Sequence, residues 1–583
     1  MKKNILILAA AALALTACDL NKAPLAQLSP DSFFSTREEL DAFANNFYAD
    51  LPSTSIYGER SDLIVATSLP VEMNGTRVIP ASGSGWTFTA LRNYNTLIEY
   101  SENCKDVNVR NEYQAVARFF RAYFYLDKVK RFGDVPWYDK QLGSADEELY
   151  KPRDSRELVM ANVVEDLDFA IKYLPTAKNA YKVTKWTALA LKSRACLFEG
   201  TFRKYHNITL DGHSADWYLQ QAAEAAEEFI LTSGYSIFSS NGIDKSYRDL
   251  FASTDAIASE IILARDYDLA LKVKHNGTYN LLGNYGNPGM TRKMFCSYLM
   301  TDGTRYTDKA GWQTEEFIAS TQNRDPRLAQ SIRTPGYMRI GSTKKEAPDV
   351  GRTQTGYMMT KYMQGVDLEV DLYGASYNDL PLFRTAEVLL NFAEAKAELG
   401  TLTQSDIDKS IKLLRDRVGM PNLDMAAANA NPDPYLLAAE TGYPNVSGAN
   451  QGVILEIRRE RAIELFDENF RYYDIMRWKN GQAFTHPMLG LYVPGPGSYD
   501  LDGDGNVDVC FYKGTAPSGL AAGVVKMEIG KDVVLKDGDS GCIFANHNDP
   551  GKWNEDRDYF YPIPTDEIQL TNGALVQNNG WSI

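Results

Sequence analysis

Helical periodicity, cut at regular intervals by glycine and proline, is what most limits the folds open to this chain. Val116, Phe119, Phe120, Tyr123 and Leu126 recur at helical spacing, and the run stops in "RFGDVP", where Gly133 can take a left-handed cap and Pro136 forbids continuation. An aromatic stripe of this kind belongs to a core. "VVEDLDFAIKYLP" follows and is ended by Pro175. In "VTKWTALALKSRACLFEG", Ala188, Leu191, Ala195 and Phe198 share a face and Gly200 is expected to close the helix; "DWYLQQAAEAAEEFILTSGY" ends at Gly234. A second helical region opens with "RTAEVLLNFAEAKAELG", closed by Gly400, and continues through "SDIDKSIKLLRDRVGMP" to Gly419 and Pro421. The ending Ala-x4-Gly occurs at Ala195 and again at Ala395, each time ahead of another helix. Helix pairs with small residues at close approaches point to degenerate tetratricopeptide-type repeats, although the full repeat consensus is not met.

The expected fold is mainly α, a single compact domain over residues 18–583 whose helical repeat scaffold occupies about 37–238 and 380–480. The intervening stretches, about 239–379 and 481–583, are rich in Gly, Pro, Asn and Tyr. Runs such as "EIILARDY" and "GVVKMEIG" predict a few short strands there. Loops of this length tend to be functional, so the helices read as scaffold and the loops as the working surface.

Residues 1–17 read as a secretory signal: Lys2 and Lys3 precede an apolar run, Ile5 to Leu15, that is short for an ordinary membrane span. "LTAC", ending at Cys18, resembles the bacterial lipoprotein box, which implies that Cys18 becomes the acylated first residue. Several acyl chains make such anchoring stable where one chain is marginal. Ordinary secretion is the alternative. The balance of 61 Lys+Arg against 76 Asp+Glu, a net charge of -15, would repel a polyphosphate backbone, so nucleic acid is not an expected partner. Cys104, Cys196, Cys296, Cys510 and Cys542 lack metal-ligand spacing and read mostly as buried small hydrophobes.

"RRERAIELFDENFRYYDIMRW", from Arg458 to Trp478, reads as a helix with charges where it should be oily. At about 100° per residue, Arg458 falls inside the apolar face formed by Ile454, Leu455, Ala462, Leu465 and Phe466, and Arg461 lies on its edge. A charge facing the core must be paired or its desolvation costs several kcal/mol. Arg458 and Arg461 are therefore expected to form buried structural ion pairs, with Glu460, Glu464, Glu387 and Glu394 as suitable partners.

Several blocks carry a more specific signal. "LSPDSFFSTREELDAFANNFY", "ARFFRAYFYLDKVKRFGDVP", "NRDPRL", "PLFRTAEVLLNFAEAKAELG", "LLRDRVGMP", "IRRERAIELFDENFRYYDIMRW" and "YPIPTDEIQLTNGALVQNNGW" resemble, in order, the signature blocks of the SusD/RagB family. The resemblance covers essentially the whole chain after the lipid box. It implies a surface lipoprotein of the outer membrane that sits over a TonB-dependent (SusC-like) transporter, with its repeats facing that partner, and hands it oligosaccharides or, in some branches, peptides. Binding and delivery are implied, with no catalysis and no required cofactor.

Sugars lay their C–H faces on aromatic rings while amide, carboxylate and guanidinium groups bond the hydroxyls. Trp86, in "ASGSGWTFTALRNYN", lies where family members often place a binding tryptophan, and with Arg92 or Asn93 it is the first candidate; the opposing reading is a loop tryptophan plugging the core. Tyr279 and Tyr285, in "NGTYNLLGNYGNPG", sit on a glycine-rich loop resembling the variable loops that line family sites, and Trp312 follows in "KAGWQTEEF". "DLDGDGNVD" places Asp500, Asp502, Asp504 and Asp508 at the first, third, fifth and ninth positions of a calcium loop, but Phe511 replaces the bidentate glutamate and no helix enters it. A structural Ca²⁺ loop of another type and a solvated acidic turn both remain open. Of catalytic patterns, neither His-Glu-x-x-His nor Gly-x-Ser-x-Gly is present. A pair of glycosidase carboxylates needs no motif, so a glycoside hydrolase stands as the rival from the enzyme class. A pure assembly scaffold with no ligand of its own is the third reading.

Overall fold

The computed structural model describes residues 33–54 and 60–582. The signal segment 1–17 and Cys18 lie outside the described residues. Among the described residues, no helix is long and apolar enough to cross a membrane.

The molecule is mainly helical. Helix α1 (Arg37–Ala44) opens with a capping box between Thr36 and Glu39. Helices α2 (Thr89–Tyr100), α3 (Val107–Phe132), α4 (Arg156–Tyr173), α5 (Lys185–His206) and α6 (Ala215–Thr232) then pack in series, each against the next. Asp106, Ser155 and Ser214 cap α3, α4 and α6, and Gly133, at φ 75°, ends α3 where the sequence places the stop. Helix α7 (Thr385–Leu399) continues the stack by packing on both α5 and α6, and α9 (Gln451–Glu464) packs on α7. Between them α8 (Ile411–Arg417) packs on both α7 and α9, and α10 (Arg471–Arg477) packs on α5. This is the helix-pair scaffold expected from the periodicity.

Three boundaries differ from the sequence reading. Gly200 does not close α5, which runs on to a left-handed Asn207 at φ 56°. A Cβ on Gly200 would stand 2.7 Å from Leu219 Cγ and 2.9 Å from the Ala215 carbonyl, so this glycine serves the close approach of α6. "SDIDKSIKLLRDRVG" forms two short helices, Gln404–Asp408 and α8, with the Ser410 hydroxyl turned back onto the Asp406 carbonyl. The Arg-rich stretch is also two helices, α9 and α10, parted by Asp467 (φ 58°) and Asn469 (φ 63°), residue types that tolerate the left-handed region.

The long segment between α6 and α7 is an excursion with a closed base. Strand β2 (Ile261–Arg265) pairs antiparallel with β4 (Leu380–Arg384), and β4 runs straight into α7, so the chain departs from and returns to one place beside the repeats. Strand β1 (Ile64–Val65) pairs with β3 (Gly289–Met290) and ties the excursion to the N-terminal part. The C-terminal region adds a pair, β5 (Leu489–Val493) with β9 (Gly541–Phe544), and a three-stranded sheet of β6 (Gly497–Tyr499), β7 (Val509–Tyr512) and β8 (Val525–Glu528).

Buried ion pairs fasten these parts. Glu460 and Glu464 of α9 meet Arg327 of the excursion at 2.6 and 3.0 Å; Glu460 also meets Arg415 of α8, and Glu464 meets Arg417 of α8 and Arg384 of β4. With Glu260, Asp325, Lys361 and Glu468 added, five cations face five carboxylates, so the cluster is balanced as burial demands. Burial alone would raise the Glu464 carboxyl, but Arg417, Arg384 and Arg327 hold it well below the usual carboxylate range.

The partners expected for the two arginines are corrected. Arg458 is fully buried, its guanidinium 4.3 Å from the Trp478 ring centre, 4.9 Å from Tyr205 and 5.1 Å from Tyr443, with one carboxylate contact, Glu398 at 3.3 Å. Arg461 donates to Asp474 at 2.8 Å and Asn391 at 2.9 Å. Glu460 and Glu464 sit about 160° and about 120° around α9 from Arg458 and face the other cluster, while Glu387 is taken by Arg194 and Glu394 by Arg477.

Candidate functional site

The six residues expected to bind ligand fall in three places. Trp86 is only 4% exposed, its ring edge-on to Phe132 at 4.9 Å and to Phe88 at 5.6 Å. Its loop is pinned from below: Lys128 donates to the Gly85 carbonyl and Arg131 Nε to the Ser84 carbonyl at 3.0 Å. Gly85, at φ 83°, has no room for a Cβ beside Arg131. Trp86 is thus largely enclosed, and its indole forms the inner wall of a cleft of about 600 Å³ whose rim includes Phe88, Arg92 and Tyr138. Arg92 opens into that cleft, whereas Asn93 is exposed and does not line it. Tyr285 is 73% exposed, and Tyr279 lies edge-on to Tyr373 at 5.7 Å; neither shares a cleft with Trp86 or Trp312.

Trp312 is the one predicted aromatic that is both half-exposed and faced by polar groups. It begins a short turn, Trp312–Thr314, entered through Gly311 at φ 78°. Arg292, buried at the cleft floor, donates Nη2 to the carbonyls of Trp312 (3.1 Å) and Gln313 (2.9 Å), so one guanidinium fixes the loop. The indole is edge-on to Tyr435 at 5.8 Å and to Tyr306 at 6.2 Å. The cleft holds about 370 Å³ and is completed by Lys293, Glu440, Thr441 and His486, by Tyr492 of β5 and by Lys536, Asp537 and Cys542 around β9. An aromatic wall with donors and acceptors around it is the arrangement a sugar needs.

Three titratable groups of this cleft are shifted by their surroundings. Asp62 accepts from Arg471 at 2.7 and 2.9 Å and from Lys293 at 2.5 Å. Burial would raise this carboxyl, but Arg471 and Lys293 hold it well below the usual range, so it cannot serve as a proton donor near neutrality. Burial lowers His486, leaving a neutral ring at neutral pH, and raises the Cys542 thiol, which is thus no activated nucleophile. Among the described residues all five cysteines are free, four of them buried.

Of the residues lining this cleft, the sequence reading named Trp312 and did not name Arg292, Tyr435, His486 or Tyr492. They come from four separate segments, and nothing local marks them as neighbours.

In the acidic loop between β6 and β7, carboxylate oxygens of Asp500, Asp502 and Asp504 lie within 4.8 Å of one another. Asp508, placed by spacing in the same set, instead accepts from the Leu501 and Asp502 amides at 2.7 and 3.3 Å. Only the first three positions could converge on a cation.

The family model described as "SusD family" matches residues 259–581, and one described as "Starch-binding associating with outer membrane" matches residues 78–190. Two similar curated proteins are SusD-like protein P2 of Formosa agariphila, 25% identical over 84% of this chain and 93% of its own length, and SusD-like protein P38 of the same organism, 23% identical over 65% of this chain and 69% of its own. Solved structures share the fold. A SusD-like protein from Bacteroides fragilis superposes with a TM-score of 0.67 at 22% identity, covering 96% of this chain and all of that one. A SusD-like carbohydrate binding protein from the same species gives 0.67 at 18%, covering 93% and 99%. A laminarin binding SusD-like protein gives 0.54 at 17%, covering 94% and 100%.

Proposed function

The chain belongs to the SusD family, and on that premise we propose that it is a non-catalytic receptor that captures oligosaccharides in the Trp312 cleft and passes them, chemically unchanged, to a TonB-dependent transporter. It works at the outer membrane, held there through acylated Cys18. The observation that carries the binding step is the half-exposed Trp312 ring, on a turn whose carbonyls are held by Arg292, bordered by Lys293, Glu440 and His486. The carbohydrate-binding and laminarin-binding relatives support a glycan cargo.

The test combines two readouts on the chain and its Trp312→Ala variant. Calorimetric titration with glycans selected from an array is expected to show affinity falling about tenfold or more on loss of the ring. Both forms should co-purify with a transporter from detergent-solubilised outer membranes and release no product from the bound glycan. Equal affinity of the two forms would remove the site, product release would make the protein an enzyme, and purification without a transporter would remove the delivery step.

A further inference from the structure

The buried charges joining α9 to α8, β4 and the excursion are matched, five cations to five carboxylates. The floor of the Trp312 cleft is not. Arg292, Lys293 and Asp62 line it, and Arg471 stands behind Asp62, so three cations stand against one carboxylate. Arg471 already takes both Asp62 oxygens, at 2.7 and 2.9 Å, and a bidentate guanidinium balances a carboxylate by itself. Lys293 Nζ, 2.5 Å from the same carboxylate, is therefore a surplus charge with N–H groups to spare. Burial lowers this ammonium, with Asp62 opposing the shift and Arg471 reinforcing it. Arg292, 7% exposed, has only neutral acceptors: the Tyr357 hydroxyl at 3.3 Å and the two carbonyls of the Trp312 turn, which leave its Nε–H without an acceptor among the described residues. Glu315, just past that turn, is taken by Lys309. A buried cation without a counter-ion carries a desolvation cost that an incoming anion offsets.

We propose that the cargo of this cleft is an acidic glycan, with a carboxylate or sulfate ester bonded by Arg292 and Lys293 and a sugar face on the Trp312 ring; the proposal rests on the cleft being the glycan site. A guanidinium fork and an ammonium on adjacent residues suit the oxygens of either group, and charge-assisted hydrogen bonds are roughly twice as strong as neutral ones. The other charges facing the cleft do not cancel this. At the rim Lys536 stands with Glu440 and Asp537, all exposed, and water and salt screen them far more than the floor. His486, its ring lowered by burial, is neutral at neutral pH. The net charge of -15 is spread over the whole chain, and at physiological ionic strength it is screened beyond about 8 Å, so the floor decides which ligand stays.

The test is an array of oligogalacturonate, oligomannuronate and sulfated oligogalactan, each beside its carboxyl-reduced or desulfated counterpart, together with neutral glucans. Calorimetry then follows on the chain, on Trp312→Ala and on Lys293→Gln. An acidic glycan should bind about tenfold or more tightly than its neutral counterpart, and the pair that shows this tells carboxylate from sulfate. That ratio should fall about threefold or more in Lys293→Gln, and again on raising salt from about 0.05 to about 0.5 M; Trp312→Ala should weaken the acidic glycan. Acidic and neutral counterparts bound equally, or neutral glycans alone, overturn the proposal and leave the receptor reading standing where Trp312→Ala weakens the binding. An acid preference untouched by both substitutions seats the anion elsewhere and also overturns it. A chain that binds nothing on the array overturns the receptor reading together with the proposal. The comparison of paired glycans on the unsubstituted chain holds whether or not a variant folds.

Discussion

Arg458 shows how a charge can be carried inside a core by rings as much as by a counter-ion. Its guanidinium lies among Trp478, Tyr205 and Tyr443, and Glu398, its one carboxylate partner, is also bonded by Lys204 and the Tyr205 hydroxyl. Arg458→Ala removes one of the two cations on Glu398 and opens a void between three aromatics, and is expected to lower the unfolding free energy by about 3 kcal/mol. Denaturant titration checks this, and an unchanged midpoint would contradict it. The helical period was enough to show that Arg458 points inward. It could not name Glu398, sixty positions away on α7, because partner choice is a long-range property. Trp86 teaches the converse: a tryptophan in a glycine-serine loop looks available, yet Lys128 and Arg131 pull the loop down until the ring is core.

At the scale of elements, the helix pairs were legible because apolar spacing and terminal glycines are local signals, whereas Gly200 was misread because its purpose lies in the neighbouring helix. The charge cluster joining α8, α9, β4 and the excursion makes a pH prediction. Glu464, Glu460 and Glu394 have carboxyls lowered in the fold from an ordinary value of 4.5: burial works against the shift, but neighbouring arginines outweigh it, and Glu394 falls to about 2. The stability they contribute is therefore complete above about pH 4.5 and is lost as pH falls below it. Asp379 titrates the other way, raised by burial to about 6, so it favours the fold as pH drops through that value. The melting temperature should be highest between about pH 5 and 6 and fall steeply below 4.5; a flat profile down to pH 3 would contradict the cluster's role. We further propose that the loop of Asp500, Asp502 and Asp504 takes a structural calcium ion, since carboxylate oxygens of all three lie within 4.8 Å of one another. Calorimetry on demetallated protein should show one site that Asp502→Asn abolishes, and no heat on calcium addition would leave only an acidic turn.

At the scale of the molecule, a stack of helix pairs carries an excursion clamped at its base by β2 and β4, and the Trp312 cleft forms where that excursion meets the C-terminal strands. The stack was visible in the sequence. The cleft was visible through one residue alone, since its walls draw on positions from Asp62 to Cys542 that only the finished fold brings together. The most direct measurement is a structure of the protein with the glycan that an array selects. The account predicts an intact sugar ring lying on the Trp312 indole, with its hydroxyls bonded by the Lys293, Glu440 and His486 side of the cleft. A sugar seated instead against Trp86 and Arg92 or at Tyr285, or a cleaved product in the cleft, would contradict it.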